Sequence, residues 1–153
     1  MARSAPMLAD SFVESSRLRP LVKPGIKGLA RKDAKLVAPF ARRQVGDSLD
    51  FDAATVVESP QENRWDYLLS VPSLDSIVGL EPHSARDSEI SVVIRKRRNA
   101  LQILRSHLRE GRSVSKWLWI TRGKVGFSHT ETARRRLDQS GIEFVGKTVR
   151  TFG

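Results

Sequence analysis

Two runs decide how this chain reads: Arg64-Trp65-Asp66-Tyr67-Leu68-Leu69-Ser70-Val71 and Ile77-Val78-Gly79-Leu80-Glu81-Pro82-His83. Each is rich in aromatic and branched apolar residues and bounded by turn formers, so each predicts a short strand. Pro72-Ser73-Leu74-Asp75-Ser76 between them reads as a hairpin loop. Pro82 has no N–H for a sheet ladder, so it belongs at a strand end or an edge. Alternation puts Trp65, Tyr67 and Leu69 on one face of the first strand and Asp66, Leu68 and Ser70 on the other. On the second strand Ile77, Gly79, Glu81 and His83 share a face. A hairpin therefore carries Asp66 and Glu81 to the same end, with His83 beside Glu81.

A helix follows. Asp87 or Ser88 caps it, Glu89 stands in the first turn where the helix dipole favours an acid, and Gly111 closes it. Ile90, Val93, Ile94, Leu101, Leu104 and Leu108 fall on one narrow apolar stripe. Arg97 interrupts that stripe, which directs its guanidinium at the sheet. A buried charge without a partner is costly, so carboxylates or a phosphate are expected opposite, and Asp66 and Glu81 are the candidates. A buried ion pair, or an arginine whose stem packs while its head escapes, satisfies the same pattern. Lys96 takes the role if the helix is turned slightly.

Lys116-Trp117-Leu118-Trp119-Ile120-Thr121 predicts a third strand with both tryptophans on one side, as cover for helices or as a surface on which bases stack. A shorter helix starts at Ser128 or Thr130 and runs to Gln139, and Ile142-Glu143-Phe144-Val145 predicts a last strand. Upstream, residues 33–45 suggest a helix weakened by Pro39, residues 47–52 an acidic turn, and residues 53–58 either a strand or a helix end. The sum is β-β-α-β-α-β, which implies an α/β fold with a central mixed sheet flanked by helices.

A chain of 153 residues makes one domain. Residues 31–153 are expected to hold it. Residues 1–30 offer few apolar groups to offset ~1–2 kcal/mol of backbone entropy per residue, so a flexible basic arm is expected there. The run from 17 to 35 carries Arg17, Arg19, Lys23, Lys27, Arg31, Lys32 and Lys35, separated by Pro20, Pro24, Gly25 and Gly28.

The net charge is +10 and the isoelectric point is near 10.8. Nucleic acid is the default partner of such a surface, because phosphate neutralisation releases counterions. Arg134, Arg135 and Arg136, with Lys124 and with Arg122 and Lys147 nearby, form a candidate phosphate-contacting face; a solvated helix face reads the same way. The chain has no cysteine, which excludes disulfides, thiolate metal sites and a cysteine nucleophile. No run approaches the ~20 apolar residues of a membrane span, and no signal-peptide core follows the first residues. A cytoplasmic protein of bacterial style is the expectation. Gly123-Lys124-Val125-Gly126 lacks the glycine-lysine-hydroxyl order of a phosphate loop. His107 and His129 have no partners legible in the sequence.

Two acids from a hairpin, followed at once by a basic helix, place a divalent metal beside a phosphodiester. Carboxylate oxygens with waters suit magnesium or manganese. His83 is a candidate metal ligand, general base or phosphate holder. At this point the chain resembles the PD-(D/E)XK nucleases. Their core is a helix, a three-stranded antiparallel run, a second helix and a further strand, and their motif is an acid on one strand and acid-x-lysine on the next. Asp66 matches the first acid, and Glu81-Pro82-His83 stands at the acid-x-lysine position. The resemblance covers about residues 50–145. His83 stands where lysine is expected; members of the superfamily also place the basic residue on the following helix, where Lys96 or Arg97 would answer. The resemblance implies a restriction-endonuclease-like core, metal at Asp66 and Glu81, and catalytic roles for Asp66, Glu81, His83, Lys96 and Arg97. The stretch is also similar to a group of small bacterial proteins with a Trp-Asp-Tyr strand and a Glu-x-His strand, a likeness that implies no activity. A non-cutting nucleic-acid-binding or interaction module on the same fold is the alternative.

Overall fold

The computed structural model describes residues 7–61, 63–123 and 131–153, with the side chain of Glu131 left aside. The chain is α/β, built on one mixed sheet of six strands in sequential order: β1 Lys23–Pro24, β2 Asp47–Asp50, β3 Tyr67–Val71, β4 Ser76–Pro82, β5 Val114–Ile120 and β6 Ile142–Gly146. The first four strands pair antiparallel and β4, β5 and β6 pair parallel. The predicted hairpin is present, with Tyr67 opposite Leu80 and Val71 opposite Ser76.

Among the described residues six short or medium helices cover the sheet: α1 Leu8–Ser11, α2 Arg31–Ala34, α3 Pro39–Gln44, α4 Phe51–Thr55, α5 Ile90–Leu104 and α6 Glu131–Gln139. Parallel strands need crossover connections, and α5 and α6 supply them. On one face Ile90, Val93, Ala100 and Leu104 of α5 and Ala133 and Leu137 of α6 pack with Leu68, Ile77 and both predicted tryptophans. On the other face Val37, Ala41 and the C-terminal Val149 and Phe152 pack over Leu69, Val78, Leu80, Leu118 and Ile120.

Several expectations need correction. The helix expected over 33–45 is split into α2 and α3: α2 ends at Ala34, Val37 bridges Val149, and Pro39 opens α3. The acidic turn expected at 47–52 is β2 followed by α4. Its acids are tolerated because they are bonded: Asp47 accepts from Leu8 N at 2.7 Å, Ala9 N at 3.1 Å and the Ser70 hydroxyl at 2.5 Å, and Asp50 accepts from Ala53 N at 3.0 Å as the cap of α4. Trp65 does not share a face with Tyr67. The strand starts at Tyr67, so Trp65 lies outside the pleat and turns onto the α5 side, edge-on to Trp117 at 4.9 Å. Gly79 leaves room for that pair; a Cβ there would stand 2.7 Å from the Trp117 ring and 2.9 Å from Trp65 Nε1.

Residues 7–30 are not a flexible arm. Leu8, Phe12 and Leu18 are fully buried in the core on the α5 side, Lys23–Pro24 pairs with β2, and Phe12 bridges Leu108. The segment's apolar residues are few, yet Leu8, Phe12 and Leu18 all join the same core cluster. His107, without a legible partner in the sequence, helps hold this segment: Nδ1 meets Ser16 Oγ at 2.8 Å and Nε2 meets Glu58 at 3.1 Å. Arg17 pairs with the same glutamate.

Candidate active site at the end of the hairpin

The end of β4 meets the approach to β3. Antiparallel register continues one step beyond Tyr67 and Leu80, so Asp66 faces Glu81 and its N–H donates to Glu81 Oε1 at 2.9 Å. Glu81 points toward α5 and is fully buried. A buried carboxylate needs cations and donors. Lys96 provides the cation: its Nζ donates to Glu81 Oε2 at 2.5 Å and lies 3.5 Å from Asp66 Oδ1. His83 comes from the chain just past β4, as the face-sharing of Glu81 and His83 predicts. Its Nδ1 stands 3.3 Å from Glu81 Oε2 and its Nε2 3.1 Å from Glu89 Oε2. The His83 backbone is pinned on both sides, its N–H on Ile120 O at 2.9 Å and its carbonyl on the Trp119 indole at 3.1 Å. The loop before Asp66 is tied down by Asn99, which donates to Asn63 O, and by Arg64, which donates to Asp52 at 2.7 Å.

Charge is unevenly poised here. Burial, and after it the Glu81 carboxylate, raise the Asp66 carboxyl to about 7 against the opposing pull of Lys96. The hydrogen bond to Glu81 raises the His83 imidazole against the effect of its burial, and Glu89 adds to the rise. Burial works against the Lys96 ammonium, but Glu81 and Asp66 outweigh it, so the group stays charged more firmly than a free lysine. The site thus holds a carboxyl and an imidazole that both bind their protons more tightly than usual, beside the Lys96 ammonium.

Arg97 does not join the acids. It lies on the inward face of α5, as expected, but its guanidinium sits over the Trp117 ring at 5.5 Å and against Gly141. Its Nε is buried with no hydrogen-bond partner. The helix stripe rests over β4 and β5, so residue 97 projects toward β6 while residue 96 projects toward β3. Trp117 and Trp119 are buried under the helices, which makes them cover for α5 and α6.

Arg134, Arg135 and Arg136 are exposed on α6, and Arg136 donates to Ser91 Oγ in the first turn of α5 at 2.7 Å. Lys124 lies outside the described residues, as does His129. Sequence reasoning missed Glu89, which it read only as a helix-start acid; no spacing rule links residue 89 to 83 across a turn. It also missed two clefts bordered by arginines. One, of about 490 Å³, is lined by Arg95, Arg98, Asn99 and Gln102 of α5 with Glu58 and Ser59. The other is a cleft of about 640 Å³ at the ends of β4 and β5, lined by His83, Ser84, Arg86, Thr121 and Arg122 among others.

At this site two carboxylates share one ammonium. Among the described residues no three histidine, aspartate or glutamate side chains are grouped to hold a metal ion by protein ligands alone. Also among the described residues, no helix is long and apolar enough to cross a membrane. Compared with protein-family models, with curated proteins and with solved structures, the chain matches none.

Proposed function

We propose that the chain is a metal-dependent nuclease-like phosphodiesterase of the PD-(D/E)XK type, acting on DNA or RNA. The observation that carries this reading is Lys96 set across both Asp66 and Glu81, with an arginine-bordered cleft on the far side of His83. The lysine that the motif lacks after Glu81 is thereby supplied from α5. The layout supports the same reading: α3, the antiparallel run β2-β3-β4, then α5 and the parallel strand β5. Crevices outside the carboxyl ends of parallel strands are where open α/β sheets bind ligands.

Asp66 and Glu81 would hold magnesium or manganese, with Lys96 displaced from between them toward the phosphate. The ion, when bound, lowers the pKa of a water and stabilises charge on a phosphoryl oxygen. Asp66 must be ionised to serve, Lys96 places a positive charge at the scissile phosphate, and His83, fixed between Glu81 and Glu89, is placed to hold a proton near the leaving or attacking oxygen. Arg95 and Arg98 on α5 and Arg134 to Arg136 on α6 give the backbone of the nucleic acid its contacts.

One observation favours the second reading, a non-catalytic nucleic-acid-binding module: Glu81 is fully buried and its oxygens are already satisfied by Asp66 N–H, Lys96 and His83. Calorimetric titration with magnesium and with manganese, with Asp66→Ala alongside, separates the two. The nuclease reading expects binding that the variant abolishes, together with metal-dependent cleavage of nucleic acid. A folded protein that retains DNA or RNA but binds neither ion belongs to the second reading.

A further inference from the structure

The cleft beyond His83 is separate from the acid pair yet shares a wall with it. Its floor is where β4 and β5 end: Pro82 and His83 on one side, Thr121, Arg122 and Gly123 on the other. Its volume of about 640 Å³ falls in the range of small-ligand sites, ~300–1,000 Å³, and is on the scale of one nucleotide. Two guanidiniums border it, Arg86 and Arg122, both exposed enough to meet a ligand. Guanidinium matches phosphate as a fork of donors and stays charged at any working pH. Ser84 adds a hydroxyl at the rim.

Two acids near this cleft, Asp33 and Glu89, are each paired with a residue of its lining. Asp33 is buried; it accepts the Tyr67 hydroxyl at 2.6 Å on Oδ2, and its Oδ1, without a hydrogen bond, lies 3.5 Å from Arg122. That loose pair anchors the Arg122 side chain and leaves its donors available. Glu89 is held by His83 at 3.1 Å and is within 3.4 Å of Ser84 Oγ. Among the described lining residues, Arg86 and Arg122 carry the fixed positive charge.

We propose that this cleft is a nucleotide subsite, in which Arg86 and Arg122 grip the phosphate of the nucleotide next to the bond that is cut. This deepens the nuclease reading and rests on it for the identity of the substrate, but the binding itself needs neither metal nor turnover. The subsite would set the register of the strand: a phosphate held between Arg86 and Arg122 presents its neighbour to Asp66, Glu81 and Lys96.

The test is binding of a nucleoside monophosphate to the full chain in the presence of a chelator, followed by calorimetry or by quenching of tryptophan fluorescence. The expected result is saturable binding to the monophosphate, no binding to the nucleoside, and weaker binding to inorganic phosphate. Arg86→Ala and Arg122→Ala should each weaken it ~10-fold or more, the scale of one lost charge-assisted hydrogen bond. Arg43→Ala, which removes the same charge from α3, should leave it unchanged. Arg122→Ala also loses the pair with Asp33, so Arg86→Ala carries the test if that variant fails to fold. Equal binding of nucleoside and monophosphate, or an equal loss with Arg43→Ala, overturns the subsite. Monophosphate binding without any metal-dependent cleavage overturns the nuclease reading and leaves the subsite standing; cleavage without monophosphate binding does the reverse.

Discussion

Asp66 is the residue through which pH acts on this protein. Its folded carboxyl is raised to about 7 by burial and by Glu81, against Lys96, whereas an unfolded aspartate titrates near ~3.9. A group that binds its proton more tightly when folded favours the fold at low pH, and loses that contribution as pH rises through its folded value. His83, also raised, acts in the same direction: its contribution is present below its ordinary value and lost above the raised one. Urea denaturation should therefore show the Asp66 contribution to stability falling between about pH 4 and pH 7, and Asp66→Asn should flatten that fall while leaving the His83 part. Equal slopes in the two proteins would show that Asp66 does not titrate in this range. At this scale the sequence was informative about strand residues: alternation placed Glu81 and His83 on one face, and the hairpin between the two strands brought Asp66 to the same end. It was uninformative about Glu89, which reaches His83 through a turn whose path no periodicity describes.

At the scale of one element, α5 separates two adjacent basic residues. The apolar stripe places Arg97 inward, and it is inward, yet Lys96 meets the acids. One residue is ~100° of helix, and the position of the axis over β4 and β5 decides which side chain leans to which strand. Lys96→Met should lower stability by ~3–5 kcal/mol, because it leaves Glu81 buried beside an unneutralised neighbour. Arg97→Ala should cost less, ~1–2 kcal/mol, the scale of a guanidinium stacked on an indole with its packed stem. Denaturant melts of the two variants check the order, and the reverse order would return Arg97 to the acid cluster.

Across the whole molecule, the segment before β2 is part of the core. Phe12 is fully buried and bridges Leu108 just past the end of α5, and Arg109 N donates to Ser11 O at 2.8 Å. Phe12→Ala should cost ~3–5 kcal/mol, as for other large aromatic truncations. A loss under ~1 kcal/mol in a denaturant melt would mean that the segment rests on the core without contributing to it. Such a segment is invisible to composition, because Leu8, Phe12 and Leu18 make no run and no period. Their burial depends on cavities that other elements create.

The sequence by itself determined what local physics can encode. Period-two alternation set the hairpin and its faces, the 3.6-residue stripe set the long helix, and the alternation of strands and helices set an α/β fold with a mixed sheet. Proline and glycine marked most of the breaks. Only the tertiary structure decided which groups meet across elements: Lys96 rather than Arg97 on the acids, Trp65 folded back onto Trp117 over Gly79, the first thirty residues packed from Leu8 onward, and the two clefts bordered by arginines. These contacts join residues far apart in the chain, and their energies depend on helix rotation, strand ends and shared cavities, none of which a linear pattern specifies.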